Sequence, residues 1–295
     1  MKRLLIAIFL AVFVPLGIAS YAVLTVLLAF FQSPQELTNS IGMKFRRIAP
    51  GSYLMGTQEH PGSPKLGEQV HRVTINHPFY LGVYEVTQAQ YERIMGTNPS
   101  FYQAPNIQPA FLHPNRSAPK SDTSGYPVEK VSWEDATEFC ERLSDLAEEK
   151  AAGRIYRLPT EAQWEYACRA GTKSSFSFDG EPNNLGEYGW YWDNSRGQTH
   201  PVGELKPNAW GLYDMHGNVS EWCLDWFDQY PETTQTDPTG PTHGIYKVHR
   251  GGGWFVEASL CRSASRDFED PKSRLSVGFR VVASASNQSL ERLSK

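Results

Sequence analysis

The architecture of the chain is most readily inferred from one segment, Pro207-Asn-Ala-Trp-Gly-Leu-Tyr-Asp-Met-His-Gly-Asn-Val-Ser-Glu-Trp222. It places Asp214, Asn218 and Glu221 within eight residues, and Gly217 permits a tight turn among them. Carboxylates and main-chain carbonyls at this spacing suit calcium, which takes six to eight oxygen ligands in a flexible geometry. The spacing resembles no EF-hand, and a loop of Asx turns with solvated carboxylates has the same pattern. The spacing alone leaves both interpretations open.

Further distinctive segments occur in order on both sides of this one. They are Pro50-Gly-Ser-Tyr-Leu-Met-Gly56, Tyr84-Glu-Val-Thr87, Pro127-Val-Glu-Lys-Val-Ser-Trp133, Tyr156-Arg-Leu-Pro-Thr-Glu-Ala-Gln-Trp-Glu-Tyr-Ala167, Arg250-Gly-Gly252 and Gly278-Phe-Arg280. Together they resemble the formylglycine-generating enzyme family, also called sulfatase-modifying factors, over residues 39–283. The resemblance implies a single loop-rich α+β domain that is related to C-type lectins and stabilised by calcium.

The resemblance also implies which residues hold calcium. The family's ligand positions match two side chains and two main-chain carbonyls, those of Asp214, Glu221, Gly217 and Val219. The family's other calcium loop is less clear, because Asn184 and Leu185 could begin it but the segment through Thr199 departs from the family pattern. Calcium is therefore the expected cofactor, at the first of these loops.

Family membership alone does not fix the activity. In the active oxidases, a cysteine pair binds copper(I) and, with dioxygen, converts a cysteine of a sulfatase into formylglycine. Soft thiolates select Cu(I), and a lone thiolate holds the ion poorly. In the family pattern the pair follows a Gly-Gly-Ser turn, whereas this chain has Gly253 for the serine, Val256 for the first cysteine and Cys261 for the second.

Cys261 itself has two interpretations, because Cys261-Arg-Ser-Ala-Ser-Arg266 also resembles a structural segment of relatives that are not oxidases. The sequence therefore predicts a binding or accessory module without oxidase chemistry, with an exported protein or a glycan as its ligand. The alternative is a formylglycine-generating oxidase in which Cys261 is catalytic and copper is the cofactor.

The N-terminus predicts a membrane anchor. After Lys2 and Arg3, residues 4–31 are free of charge, and about 20 apolar residues suffice to span a bilayer. The two positive charges predict a cytoplasmic N-terminus and a body outside the cytoplasm. Cleavage after Gly17-Ile18-Ala19 is the alternative and would give a secreted protein. The expected divisions are residues 1–35 for the tip, anchor and start of the linker, 36–285 for the body, and 286–295 for a polar tail.

Local patterns predict the main elements of the body. Short β-rich runs predict strands at Met43–Ile48, Ser52–Met55, Arg72–Ile75 and Phe79–Val86. Capping boxes predict one helix that starts at Ser132 and ends near Gly153, and a second between Thr160 and a Gly171 cap. A third helix is expected at Thr87–Met95, and no helical period follows Gly171.

Composition and spacing exclude several classes of site. With 28 Lys and Arg against 32 Asp and Glu, the net charge is −4, which argues against nucleic-acid binding. The four cysteines form no C-x-x-C pair, and buried thiols are expected at Cys140 and Cys168, although disulfides are permitted outside the cytoplasm. No H-x-x-x-H spacing occurs, and a hydrogen-bonding role is expected for His216. Several tryptophans could line a binding surface, but core packing is the expected role, for Trp190, Trp192, Trp210, Trp222, Trp226 and Trp254.

Overall fold

The computed structural model describes residues 35–57, 68–103, 122–178 and 182–285. The chain divides into two compact units, residues 1–36 and 37–295, and the fold is that of the second. The predicted anchor at residues 4–31 and the predicted tail at 286–295 lie outside the described residues. No helix within the described ranges is long and apolar enough to cross a membrane.

The strands of the described residues form three sheets. They are β1 Glu36–Thr38, β2 Lys44–Ile48, β3 Gly51–Met55, β4 His71–Ile75, β5 Phe79–Gly82, β6 Arg154–Arg157, β7 Ser220–Trp226, β8 Gln235–Thr236, β9 Lys247–Arg250, β10 Arg266–Glu269, β11 Val277–Gly278 and β12 Val282–Ala285. The sheet orders are β1-β2-β5-β12-β6, β10-β9-β7-β11 and β3-β4-β8. Each sheet joins strands that are far apart in sequence, so the domain is held together by long-range pairing.

In the described part of the chain, four α-helices accompany the sheets: α1 Gln88–Met95, α2 Trp133–Asp145, α3 Ala147–Ala151 and α4 Glu161–Arg169. The three predicted N-termini are confirmed, because Thr87, Ser132 and Thr160 each form a complete capping box. Beyond Gly171 the described chain has only two 3-10 helices, Pro182–Glu187 and Ala258–Leu260, and otherwise short strands and loops. The fold is therefore mixed α+β, rich in sheet and in loops, as predicted.

Three predicted boundaries were wrong. The helix expected to run from Ser132 to near Gly153 breaks at Leu146, whose extended backbone (φ −58°, ψ 139°) turns its side chain onto the core. The cap of α4 is Ala170, with φ 46°, one residue before the expected Gly171. The strand from Phe79 ends at Gly82 rather than Val86, because the following residues leave the sheet and carry Glu85 into the interior.

Helix α4 lies at the centre of the body, and all nine of its residues are buried. Its acidic side chains are compensated by Arg169 of the same helix and by arginines from distant segments. Glu165 pairs with Arg169 at 2.8 Å and with Arg250, and Glu161 pairs with Arg266 at 2.7 Å. Buried carboxylates need such partners, since an unpaired charge in the interior is costly.

Candidate functional site

The 207–222 segment folds into a buried loop that leads into β7. Asp214 and Asn218 have left-handed backbone conformations, with φ of 58° and 66°. Gly217 is required because a Cβ atom there would lie 2.2 Å from the carbonyl oxygen of Trp190. That same oxygen accepts the N–H of Asn218 at 2.7 Å. The tight turn expected at Gly217 is therefore confirmed.

Glu221 is fully buried beneath this loop and is held by two donors. Arg280 donates to both of its carboxylate oxygens, through Nε and Nη2, at 2.6 Å each. Trp164 Nε1 donates to Glu221 Oε2 at 2.8 Å. Because each carboxylate oxygen has two lone pairs, only Oε1 of Glu221 retains an unused one.

Two further carboxyl groups lie close to this ion pair. Glu85 accepts the N–H of Val219 at 3.2 Å and the side-chain amide of Asn218 at 2.9 Å. Asp214 accepts the N–H of Gly203 through Oδ2 at 2.7 Å, while its Oδ1 is buried without a donor in the described part of the chain. We refer to Glu85, Asp214, Glu221 and Arg280 as the acid cluster.

The acid cluster carries an excess of potential negative charge. Burial raises the pKa of Asp214 to about 6, and Arg280 only partly offsets this effect. Burial, followed by the charge of Asp214, raises the pKa of Glu85 well above its ordinary value. Three carboxyl groups face one guanidinium, so the cluster reaches neutrality only by taking up protons or an additional cation.

The cluster fits calcium in part. Asp214 offers what a calcium site needs, a buried carboxylate oxygen that no donor occupies. Glu221 fits less well, because Arg280 and Trp164 already use three of its four lone pairs. Across the described ranges, no three or more His, Cys, Asp or Glu side chains converge as a metal site. A calcium ion here would therefore depend on Asp214 and on main-chain carbonyls such as those of Gly217 and Val219.

All four cysteines are buried and unpaired, as expected for Cys140 and Cys168. Cys261 is fully buried, and burial raises the pKa of its thiol to about 12. Its Sγ atom would lie 2.6 Å from a Cβ added at Gly252 and packs into a small apolar cluster beside Val256. Val256 thus contributes methyl groups to the packing around Cys261.

His216 has the hydrogen-bonding role expected from the sequence. Its Nε2 atom accepts the N–H of Ser177 at 3.0 Å, so the ring proton resides on Nδ1. Nδ1 donates to the carbonyl oxygen of Cys261 at 2.8 Å. Burial lowers the pKa of His216 to about 4, which keeps the ring neutral. Through these hydrogen bonds, the His216 side chain connects the segments around residues 177, 216 and 261.

The tryptophans divide between packing and the surface. Trp222 is fully buried in the core, whereas Trp192 is 40% exposed. Trp192 lies beside the segment between Gly253 and Cys261, since its N–H donates to the carbonyl of Val256 at 2.9 Å. Phe255 and Phe101 are exposed to a similar extent. The expected core role therefore holds for Trp222 but not for Trp192.

The structure also shows functional candidates that the sequence did not identify. Glu85, Trp164 and Arg280 lie in segments that were recognised, but nothing along the chain indicated that they contact Glu221 or its loop. Glu85 and Val219, for example, are 134 positions apart. The sequence offered no pairing signal at that separation, and only the fold brings these residues together.

Comparison with known proteins gives matches over the same body. Residues 32–285 match a family model described as a sulfatase-modifying factor enzyme 1-like domain. The chaperone protein LppX of Paenibacillus barcinonensis is 33% identical over 253 residues, which cover 70% of this chain and 80% of the relative. The formylglycine-generating enzyme of Mus musculus is 31% identical over 290 residues, 80% of this chain and 74% of the enzyme.

Solved structures also resemble the fold. Treponema denticola variable protein 1 superimposes with a TM-score of 0.70 at 29% identity, over 85% of this chain and 99% of that chain. PvdO from Pseudomonas aeruginosa superimposes with a TM-score of 0.65 at 26% identity, over the same shares of the two chains.

Proposed function

The chain belongs to the sulfatase-modifying factor family, and we propose that its body is a binding or accessory module of this family without oxidase chemistry. The observation that carries the proposal is the environment of Cys261. A copper site of the family's kind needs two accessible thiolates, whereas Cys261 is buried, protonated at neutral pH and packed beside Val256.

No other cysteine supplies the second thiolate. Cys168 is also fully buried, and its Sγ atom contacts Ser263 Oγ at 3.6 Å and the His216 ring at 3.8 Å. Burial raises the pKa of this thiol to about 12. Cys140 and Cys223 are likewise buried and free, and burial raises the pKa of each.

A surface suited to a partner lies beside the segment that contains Val256 and Cys261. The rings of Phe101, Tyr102, Trp254 and Phe255 contact one another in series, with centroid separations of 5.1, 5.3 and 5.3 Å. Trp192 joins them through its backbone bond to Val256. We call these five residues the aromatic surface: Phe101, Trp192 and Phe255 are its exposed members, whereas Tyr102 is buried. Exposed aromatic groups are typical of binding sites.

The partner class that we propose is an exported polypeptide. One relative is named a chaperone protein, which is consistent with an accessory role towards another protein. A glycan is the second ligand class, in keeping with the relation to C-type lectins that the family resemblance implies. Both ligand classes belong outside the cytoplasm, where the charge pattern of residues 1–31 would place the body of a single-pass membrane protein.

Aldehyde formation on a sulfatase-type cysteine peptide tests the absence of oxidase chemistry. The peptide is incubated with Cu(I), oxygen and wild type, Cys261→Ser or Val256→Cys, and an active formylglycine-generating enzyme serves as the positive control. We expect no aldehyde from wild type. Aldehyde that forms with wild type and disappears in Cys261→Ser would overturn the proposal in favour of the oxidase.

Site-specific photo-crosslinking in intact cells tests the aromatic surface. A photoreactive residue is placed at Phe255, and in a matched variant at Leu54, which is 47% exposed on β3. We expect adducts with an extracytoplasmic polypeptide from position 255 and none from position 54. Equal labelling from both positions, or none from 255, would contradict a protein-binding role for this surface.

A further inference from the structure

A second candidate site lies outside both the acid cluster and the aromatic surface. It is a cavity of about 490 Å³ between β4, the first turn of α4, the end of β7 and the connection from Asp228 to Pro241 that contains β8. Its volume falls in the range of small-molecule sites, roughly 300–1,000 Å³. The cavity shares no lining residue with the acid cluster or with the aromatic surface.

The positive charge on the cavity wall is already neutralised. Arg266 forms a bidentate ion pair with Glu161, with distances of 2.8 and 2.7 Å. It also donates to the carbonyl of Asp228 at 2.9 Å and lies over the rings of Phe227 and Tyr230. Arg266 is 1% exposed in its side chain, so it presents little charge to a ligand.

Three carboxylates that line the cavity have no ion-pair partner among the described residues. Asp225, Asp228 and Asp237 line the cavity, and none of them forms an ion pair with another residue that the structure describes. Asp228 and Asp237 each accept a backbone N–H, from Gln229 at 2.7 Å and Asn76 at 3.0 Å. The wall therefore has a surplus of negative charge.

Asp225 distinguishes this cavity from an ordinary acidic surface. It is only 4% exposed, and Oδ2 accepts the N–H of Glu161 at 2.8 Å, while the described residues supply no donor to Oδ1. Gly240 lies directly over it, since an added Cβ would approach Asp225 Cβ to 2.8 Å and Oδ1 to 3.1 Å. A nearly buried carboxylate with an unused oxygen thus lines the cavity.

We propose that this cavity binds an organic cation with N–H donors, an ammonium or a guanidinium group, with Asp225 as the buried counter-ion. Asp228 and Asp237 add attraction along the wall. Trp226 and Tyr230 also line the cavity, but Lys247 and Arg266 already lie over their rings at 3.9 Å, so the attraction rests on the carboxylates. This site is independent of the proposed accessory function.

The electrostatics of Asp225 agree with this assignment. Burial raises the pKa of Asp225 to about 7, and the negative charge of Glu161 on α4 adds to this effect. The positive charges of Arg266 on β10 and Lys247 on β9 lower the pKa and offset part of the rise. A bound cation offsets both the burial and the repulsion. Cation affinity should therefore increase as the pH rises from 6 to 8, because a larger fraction of Asp225 is then ionised.

Isothermal titration of the full chain in detergent micelles with butylguanidinium tests the proposal. Butylurea is the matched control, since it has the same shape and no charge. We expect saturable binding of butylguanidinium, and binding of butylurea at least roughly tenfold weaker, as expected for the loss of a charge-assisted hydrogen bond. Absent binding of butylguanidinium, or equal affinity for the two probes, would overturn the proposal.

Two variants place the site. Asp225→Asn keeps an oxygen for the Glu161 N–H but removes the charge, and we expect at least roughly tenfold weaker binding. Asp228→Asn, at the exposed rim, should weaken binding severalfold and serves if Asp225→Asn does not fold. Asp145→Asn, 74% exposed on α2, should change nothing. Unchanged affinity in both cavity variants would place the cation elsewhere and refute this site.

Peptides distinguish the two possible sources of the cation, a basic side chain of a polypeptide and a free small molecule. Acetyl-Gly-Arg-Gly-amide is compared with its citrulline counterpart, which is uncharged. If the peptide binds as tightly as butylguanidinium, the cavity takes a basic side chain of a polypeptide. If only the free cation binds, the cavity takes a small amine or guanidine. Both outcomes support the cation site, whereas binding of neither overturns it.

Discussion

The substitution Asp214→Asn tests the proposed calcium site most directly. It removes the charge of the one carboxylate in the acid cluster that has a buried oxygen without a donor among the described residues. An asparagine oxygen can still accept the N–H of Gly203, and asparagine tolerates the left-handed backbone of this position. Glu221→Gln is less informative, because it would also leave Arg280 without its bidentate partner.

The expected magnitude follows from the pKa of Asp214. Burial raises this pKa from 3.8 to about 6. At about 1.4 kcal/mol per unit, keeping Asp214 ionised at neutral pH costs the folded state about 3 kcal/mol. Asparagine removes that cost but places a buried NH2 group, with two N–H donors, where Oδ1 has no donor, a penalty of about 1–3 kcal/mol. Without calcium, the variant should therefore be as stable as wild type or more stable by about 1–2 kcal/mol.

Calcium should reverse this order. A ligand that binds only the folded state at about 100 times its Kd adds about 2.7 kcal/mol to the free energy of unfolding. For a domain of this size, that corresponds to a rise in Tm of roughly 5–11 °C. Asp214→Asn lacks the charged ligand and should shift by less than about 2 °C. Wild type is therefore expected to be the more stable protein only when calcium is present.

Thermal unfolding of both proteins in chelator and in excess calcium measures these differences. Asp145→Asn is the matched control, because it makes the same chemical change at an exposed position of α2. If this control gains the same Tm from calcium as wild type, the weaker response of Asp214→Asn is not caused by the loss of one negative charge in general. If wild type and Asp214→Asn gain the same Tm from calcium, the reasoning is wrong and calcium does not bind through Asp214.

Three further outcomes are expected. Arg280→Lys should lower the free energy of unfolding by about 2–4 kcal/mol in urea titrations, because lysine keeps the charge but cannot reach both oxygens of Glu221 and the nearby carbonyls. A loss below about 1 kcal/mol would contradict this. Because all four thiols are buried, the native protein should not react with iodoacetamide, and mass spectrometry should show four adducts only after unfolding. Rapid labelling of Cys261 in the native protein would refute this. Burial raises the pKa of Glu129 from 4.5 to about 7, so ionisation of this group lowers the stability of the fold as the pH rises from about 4.5 through 7. Relative to wild type, Glu129→Gln should therefore gain about 3 kcal/mol between pH 4 and pH 8, and a difference that does not change with pH would contradict this.

Local features of the fold could be predicted from the sequence because their causes are local. The capping boxes at Ser132 and Thr160 involve residues three positions apart, and both form as expected. Gly217 was similarly predictable as a tight-turn residue. The break at Leu146 was not, because the helical pattern continues through it and the packing of Leu146 against the core decides its conformation.

The composition of the site could be predicted only in part, because only some of its residues lie in one segment. The segment from Asp214 to Glu221 supplies two of the three acids in one stretch, so its chemistry was visible. Glu85 and Arg280 come from segments more than 50 residues away and determine how much charge the loop carries. The cavity around Asp225 has walls from β4, α4, β7, β8 and β10, and no short segment contains enough of them to indicate a site.

The loops of this domain are held by buried arginines, and its four cysteines form no disulfide. Arg280 donates to the carbonyls of Gly82 and Tyr213 in addition to Glu221. Arg169 donates to the carbonyls of Gly56 and Ser174 as well as to Glu165. A guanidinium offers five donors in a fixed plane, so one side chain can satisfy several loop carbonyls while an acid neutralises its charge. Because such a centre needs neither an oxidant nor copper, the packing of these loops does not depend on a cysteine pair, which is consistent with Val256 and a lone Cys261 in this chain.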